Sequence, residues 1–328
     1  MPTAAPESNI TVIDSEEGLL PLLDNIASLA VEPPSLYINL EGIALGRHGC
    51  ISILTLYIAP TKETYLIDIH VLKEAAFSTT TASGTSLKTI LESPTIPKVV
   101  FDIRNDSDAL FNLFQVSVDG IKDIQVMGCV TRRGENRFNA DIVECIEKES
   151  PVSFAKHPNS FEKKRTWRFA KEDGQRLFAP EKGGRFEIFN ERPMKPELIQ
   201  YCQLDVAMLP GLYGVYNAKL GHRYWQDCVV EETIRRVKLS QSAGYDTHSR
   251  SKIFGWDDGY KCKQIDSWTD GVIMETGTGG YIYSENDQKV IVPTAGEFPN
   301  KGIIEDKPEE VGRKSYNAYG DSDSDYSF

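Results

Sequence analysis

Three apolar runs, rich in β-branched and aromatic residues, follow one another closely in the first quarter of the chain. They cover residues 35–40, 50–58 and 64–69, and their short connections have lengths suited to antiparallel hairpins. Further along, strand-like runs alternate with helical spacing, at 86–92, 98–101, 106–115, 121–126 and 140–149. This order predicts an α/β fold with a mixed sheet, in which three antiparallel strands are followed by parallel strands and flanked by helices.

The same patterns divide the chain into four predicted parts. They are a strand and helix lead-in at 1–29, a main domain at 30–220, a C-terminal helix at 221–250 and a partly disordered extension at 251–328.

Some segments have less regular patterns. Residues 151–192 lack steady periodicity, so we expect a long loop or short helices there, whereas 197–220 has the spacing of one helix. Residues 280–293 alternate as in a hairpin. The basic residues Arg235 and Arg236 are expected on a solvated helix face.

The amino-acid composition excludes some classes of protein. The 328 residues contain 36 basic and 48 acidic side chains, a net charge of −12, which argues against a protein that coats nucleic acid electrostatically. Residues 131–195 differ, with 15 basic and 11 acidic side chains.

No run approaches the roughly 18 apolar residues of a membrane helix, so no membrane association is expected. The six cysteines never form Cys-x-x-Cys, and no signal-like start is present, so we expect a cytoplasmic or nuclear, non-secreted protein.

Polar side chains stand at two predicted strand ends and on one helix. Asn39 and Glu41 end the first apolar run and point to one face of the sheet, because strand side chains alternate. Asp106 lies where a buried strand gives way to a helix, and Tyr201 and Asp205 are one helical turn apart. Carboxylates placed in this way can hold two Mg²⁺ or Mn²⁺ ions about 3.5–4 Å apart. Alternatively, Asp106 only caps a helix and Asp205 is solvated.

The motifs in this order resemble those of the DEDDy 3′–5′ exonucleases, the ribonuclease D-like group with a ribonuclease H-like fold. The resemblance covers about 30–220 and rests on 36–42 (LYINLEG), 101–110 (FDIRNDSDAL) and Tyr201-x-x-x-Asp205. It implies hydrolysis of a nucleic acid from its 3′ end with two Mg²⁺ or Mn²⁺ ions. It also implies roles for single residues: Tyr201 orients the attacking water, and the metal ligands are Asn39, Glu41, Asp106 and Asp205.

Asn39 departs from the family pattern, because the first motif begins with Asp in this group. An amide oxygen can ligate a hard cation but carries no charge, so we expect the second ion to bind poorly and hydrolysis to slow by orders of magnitude. Two hypotheses follow. The chain is an impaired 3′–5′ exonuclease acting on a single-stranded 3′ end, of RNA rather than DNA, or it is an inactive nucleic-acid-binding or adaptor protein with an exonuclease fold.

Further candidates for nucleic-acid contact lie around these motifs. Cations that follow phosphates, interleaved with aromatic rings on which bases stack, are typical of single-strand binding. Asp123 and Gln125 stand where the resembled group has Asp-x-Gln. The basic and aromatic candidates are Arg132, Arg133, Lys163, Lys164, Arg165 and Trp167. The alternative is a solvated loop whose Trp167 packs on the core.

Overall fold

The three apolar runs form the centre of a mixed sheet in the computed structural model. Its strands among the described residues are β1 Ile10–Ile13, β2 Leu36–Glu41, β3 Ile53–Ile58, β4 Glu63–Asp68, β5 Lys98–Val100 and β6 Ile121–Asp123. The order across the sheet is β1-β4-β3-β2-β5-β6. Strands β2, β3 and β4 are antiparallel, β5 and β6 run parallel to β2, and β1 adds to β4 in parallel. The predicted mixed sheet is therefore confirmed.

The structure describes residues 9–132, 139–149, 160–221, 223–249, 252, 281–283 and 289–291. Contacts divide the chain into two units, Met1–Trp268 and Thr269–Phe328. The second unit has two antiparallel strands, β7 Tyr281–Tyr283 and β8 Lys289–Ile291, where the sequence alternates as in a hairpin. The disorder that we predict within 251–328 falls mainly outside the described residues.

Helices cover both faces of the sheet in the first unit. They are α1 Glu16–Ala27, α2 Ile69–Leu72, α3 Ala75–Ser78, α4 Leu87–Glu92, α5 Ile103–Phe114, α6 Ile124–Thr131, α7 Ile142–Glu149, α8 Ser160–Phe178, α9 Pro196–Ala207, α10 Leu209–Lys219 and α11 Arg223–Gln241, with 3₁₀ turns at Pro180–Lys182 and Phe186–Asn190. Within the described part of the chain, none of them is long and apolar enough to cross a membrane.

Alternation along the strands supplies a core on each face of the sheet. On β2, Ile38 and Leu40 pack against α1, α4 and α5 in one apolar cluster. Tyr37 points the other way and joins a second cluster with α6, α9 and α10. A third, smaller cluster gathers Ile53 of β3 with Leu198 and Tyr201 of α9. Because helices pack on both faces of the sheet, the ends of β2 and β5 lie between these helices.

Three expectations about local structure are wrong. Residues 160–178, where we expect a long loop or short helices, form the single 19-residue helix α8, whose polar composition hides its helical spacing. The helix expected at 197–220 is two helices, because Pro210 stands at the start of α10. The strand expected at 121–126 ends at Asp123, whose carboxylate accepts a hydrogen bond from the Gln125 N–H at 2.9 Å and so begins α6.

Arg236 of α11 is buried rather than solvated, contrary to the expectation for this helix face. Its guanidinium donates to Asp123 Oδ2 at 3.0 Å and to Gln125 Oε1 at 2.9 Å. It also pairs with Glu232 of its own helix at 3.3 Å. Asp123 is fully buried, so this pair fastens α11 to the end of β6 through charges that water does not reach.

We predict that Arg236→Leu lowers the free energy of unfolding by about 3 kcal/mol, because it leaves the Asp123 carboxylate buried without its cation. Chemical denaturation measures this. The control is Arg235→Leu, whose side chain is 58% exposed although it also pairs with Glu232, and we expect it to cost less than about 1 kcal/mol. Equal losses of unfolding free energy in the two variants would contradict the role of Arg236 as the buried partner of Asp123.

Candidate active site

Asn39 and Glu41 lie side by side at the end of β2, both partly exposed. In the register of the hairpin they stand opposite Thr55 and Ile53 of β3. The amide Nδ2 of Asn39 donates a hydrogen bond to Glu41 Oε1 at 3.0 Å. The nitrogen of the amide, and not its oxygen, therefore faces the neighbouring carboxylate.

Glu41 has a pKa raised to about 7, chiefly because burial disfavours its charged form. The nearby ammonium of Lys171 and the hydrogen bond from Asn39 act in the opposite direction and only partly offset burial. Burial therefore makes the carboxyl group of Glu41 hold its proton more strongly than an exposed glutamate does.

Asp106 lies in the first turn of α5, and the cap of that helix is Asp102, which has a φ of 60°. Asp106 is therefore not the helix cap. It is buried, and the pKa of its carboxyl group is raised well above the usual value by burial and by the negative charges of Asp102, Glu41 and Asp123. In the part of the chain that the structure describes, no donor or cation is recorded against this carboxylate.

Tyr201 and Asp205 are buried on one face of α9. The Tyr201 ring lies edge-on to Phe178, with the ring centroids 5.0 Å apart. A Cβ atom placed on Gly174 of α8 would lie 2.4 Å from the Tyr201 ring, so the missing side chain lets α8 approach α9. Burial raises the pKa of the Tyr201 phenol well above its usual value, and nearby Glu41 adds to that shift.

Lys171 of α8 belongs to this site although none of the sequence motifs contains it. Its ammonium group donates to Asp205 Oδ1 and lies 4.0 Å from the centroid of the Tyr201 ring. Burial lowers the pKa of this ammonium to about 8, although the charge of Glu41 acts against that shift. The sequence does contain an indication that Lys171 points inward. Trp167, Lys171 and Gly174 have the spacing of one helix face, and all three are buried.

These side chains are not arranged to ligate two metal ions. The nitrogen of the Asn39 amide faces Glu41, and the Asp205 carboxylate is engaged by Lys171. Among the residues that the structure describes, no three His, Cys, Asp or Glu side chains are grouped so that they could hold a metal ion. The site does bring Glu41, Tyr201 and Asp205 around one lysine, with Asn39 and Asp106 near Glu41.

Asp123 and Gln125, predicted to contact nucleic acid, lie in the interior. Besides Arg236, the Asp123 carboxylate accepts a hydrogen bond from the Asp102 backbone N–H at 3.0 Å. Gln125 Oε1 accepts from Arg104 at 3.2 Å as well as from Arg236. Both side chains therefore connect β6 and α6 to their neighbours.

The basic and aromatic candidates have different surroundings. Arg132 donates from Nε to the Gly128 carbonyl at 3.1 Å, and Trp167 is buried, with its indole N–H near the Leu204 carbonyl at 3.5 Å. Lys164 contacts the Glu147 carbonyl at 3.1 Å, and Arg165 lies over the ring of exposed Phe169 at 5.5 Å. Arg133 lies outside the described residues, as does the side chain of Lys163.

A sequence profile of 3′–5′ exonucleases matches residues 35–217, which is more than half of the chain. The chain belongs to the 3′–5′ exonuclease family. Members of this family typically use divalent metal ions. The matched residues of this exonuclease domain run from β2 to α10 and include both strand ends and the α9 pair.

Two solved structures of Trypanosoma brucei RNase D share the fold of this exonuclease domain. Trypanosoma brucei RNase D in complex with RNA U12 is 15% identical, covers 78% of this chain and 79% of its own, and has a TM-score of 0.58. The GMP complex of T. brucei RNase D is 15% identical, covers 79% and 71%, and has a TM-score of 0.57. Escherichia coli RNase D is 14% identical, covers 72% and 51%, and has a TM-score of 0.48. No match was found among curated proteins.

We predict that Gly174→Ala lowers the free energy of unfolding by about 1–3 kcal/mol, because the added methyl group overlaps the Tyr201 ring. The matched control is Gly214→Ala in α10, where an added Cβ would meet no atom within 4 Å. It should instead gain up to about 1 kcal/mol from helix propensity. Chemical denaturation of both variants measures the difference, and a Gly174→Ala protein as stable as the wild type would contradict this packing.

Proposed function

We propose that this chain binds the 3′ end of single-stranded nucleic acid with its exonuclease domain and has lost most of the phosphodiester hydrolysis typical of the family. The hydrogen bond from the Asn39 amide to Glu41 carries this proposal. With Asn39 in place of the Asp of the family motif, the first motif supplies one carboxylate, that of Glu41, where the family has two. Two divalent ions repel each other, and each carboxylate that is lost removes charge that offsets this repulsion.

The exposed side of α8 supports the binding half of the proposal. Arg165 and Phe169 are both exposed and stacked on each other, and Lys164 lies one turn before Arg168 on the same helix. An aromatic ring beside cations suits a strand whose bases stack and whose phosphates are negative. Trp167 and Lys171 point to the interior and leave this surface to the other residues.

RNA is the proposed ligand in preference to DNA. The support is the similarity in fold to T. brucei RNase D, which was solved in complex with RNA U12. A cleft that reads the backbone gives little base information, so we expect binding with weak sequence preference.

A second candidate is a slow metal-dependent 3′–5′ exonuclease. Glu41, Asp106, Tyr201 and Asp205 all keep their motif positions, which favours this function. The two candidates differ in one product, a shortened strand.

We predict that the full chain binds a 5′-labelled single-stranded RNA and leaves its length unchanged in Mg²⁺ or Mn²⁺. Fluorescence anisotropy and denaturing gels measure binding and length. Arg165→Ala should weaken binding about fivefold or more, because it removes one stacking and phosphate partner. Arg176→Ala, which removes another exposed arginine of the same helix, should leave binding nearly unchanged.

Metal-dependent shortening that Glu41→Gln abolishes would overturn the proposed loss of hydrolysis and establish the second candidate. A wild-type chain that binds no RNA would overturn the binding proposal.

A further inference from the structure

Lys171 stands among the motif side chains although it belongs to none of the motifs. Its side chain is 7% exposed and that of its partner Asp205 is 8% exposed. A lysine that reaches an acidic cluster from solvent would leave its stem and ammonium accessible, so this burial indicates a built contact.

Helix packing fixes where this ammonium lies. Trp167 is buried one turn before Lys171, and Gly174 follows three residues later on the same side of α8. Gly174 lets α8 approach Tyr201, and this close approach sets the Lys171 ammonium 4.0 Å above the ring. The cation is therefore placed by the backbone of two packed helices and by a cation–π contact.

Two residues make this site less negative than a set of carboxylates alone would be. Asn39 is uncharged where the family motif has Asp, and Lys171 places a positive charge beside Asp205. Within the described part of the chain, Lys171 is the cation recorded against the motif carboxylates, with a direct pair to Asp205 and an electrostatic interaction with Glu41. Divalent cations need carboxylate oxygens that are free to ligate, and Lys171 occupies one of them.

We propose that Lys171 is a built-in cation that takes the place of a divalent metal between Glu41 and Asp205. The site would then bind the 3′ end of a nucleic-acid strand without a divalent metal, a consequence that rests on the proposed function. The displacement of metal does not rest on it.

Titration of Mn²⁺ into the full chain tests the displacement, with the electron paramagnetic resonance signal of free Mn²⁺ as the readout. We expect Lys171→Met to bind Mn²⁺ at least about tenfold more tightly than the wild type, because it removes a positive charge next to the carboxylates. Lys164→Met, on the same helix but directed at a Glu147 carbonyl, should match the wild type. The double variant Lys171→Met/Asp205→Asn should lose the gain.

Equal Mn²⁺ affinity in Lys171→Met and the wild type would overturn the proposal and leave Lys171 as a structural partner of Asp205. If Lys171→Met is unstable, the melting temperature decides: added MnCl₂ should raise it in this variant and not in the wild type, since a ligand stabilises the state that binds it. Lys171→Gln serves as a second variant with a neutral polar side chain.

Binding of the labelled RNA by the wild type, with and without EDTA, tests the consequence. We expect the same dissociation constant in both conditions, and a tenfold weakening in EDTA would overturn metal-independent binding. A wild type that binds no RNA refutes the proposed function alone, because the Mn²⁺ titration still decides the role of Lys171.

Discussion

The buried contact between Lys171 and Asp205 joins α8 to α9 at the centre of the exonuclease motifs. Breaking such a pair by removing one partner is expensive, because it leaves an uncompensated charge away from water. Helix α8, the Tyr201 ring and the end of β2 therefore have positions that depend on one another. The proposed exclusion of a divalent ion follows from that arrangement, since a carboxylate oxygen of Asp205 that accepts from the ammonium is not free to ligate a metal.

Much of the fold could be predicted from the sequence. Strands β2 to β4 follow from three apolar runs with short connections, because alternation and hairpin length are local properties. The positions of Glu41, Asp106 and Asp205 at strand ends and on a helix face also follow from the sequence pattern, whereas their role as metal ligands stays a prediction. The family profile over 35–217 agrees with that prediction of fold and family.

The parts that could not be predicted depend on contacts between distant segments. Arg236 is 113 residues from Asp123, and a basic residue on a helix gives no local sign that it will be buried. Lys171 and Asp205 are 34 residues apart, and the polar composition of α8 obscured the spacing that points Lys171 inward. In both cases long-range pairing of charges overrides the usual tendency of charged residues to stay in water.

The sharpest test of metal displacement is a crystal of the wild-type chain grown with MnCl₂ and measured at a wavelength where manganese scatters anomalously. We expect the Lys171 ammonium between Asp205 and Tyr201, with no manganese peak beside Glu41, Asp106 or Asp205. A manganese peak bound by these carboxylates, with Lys171 turned away from them, would contradict it.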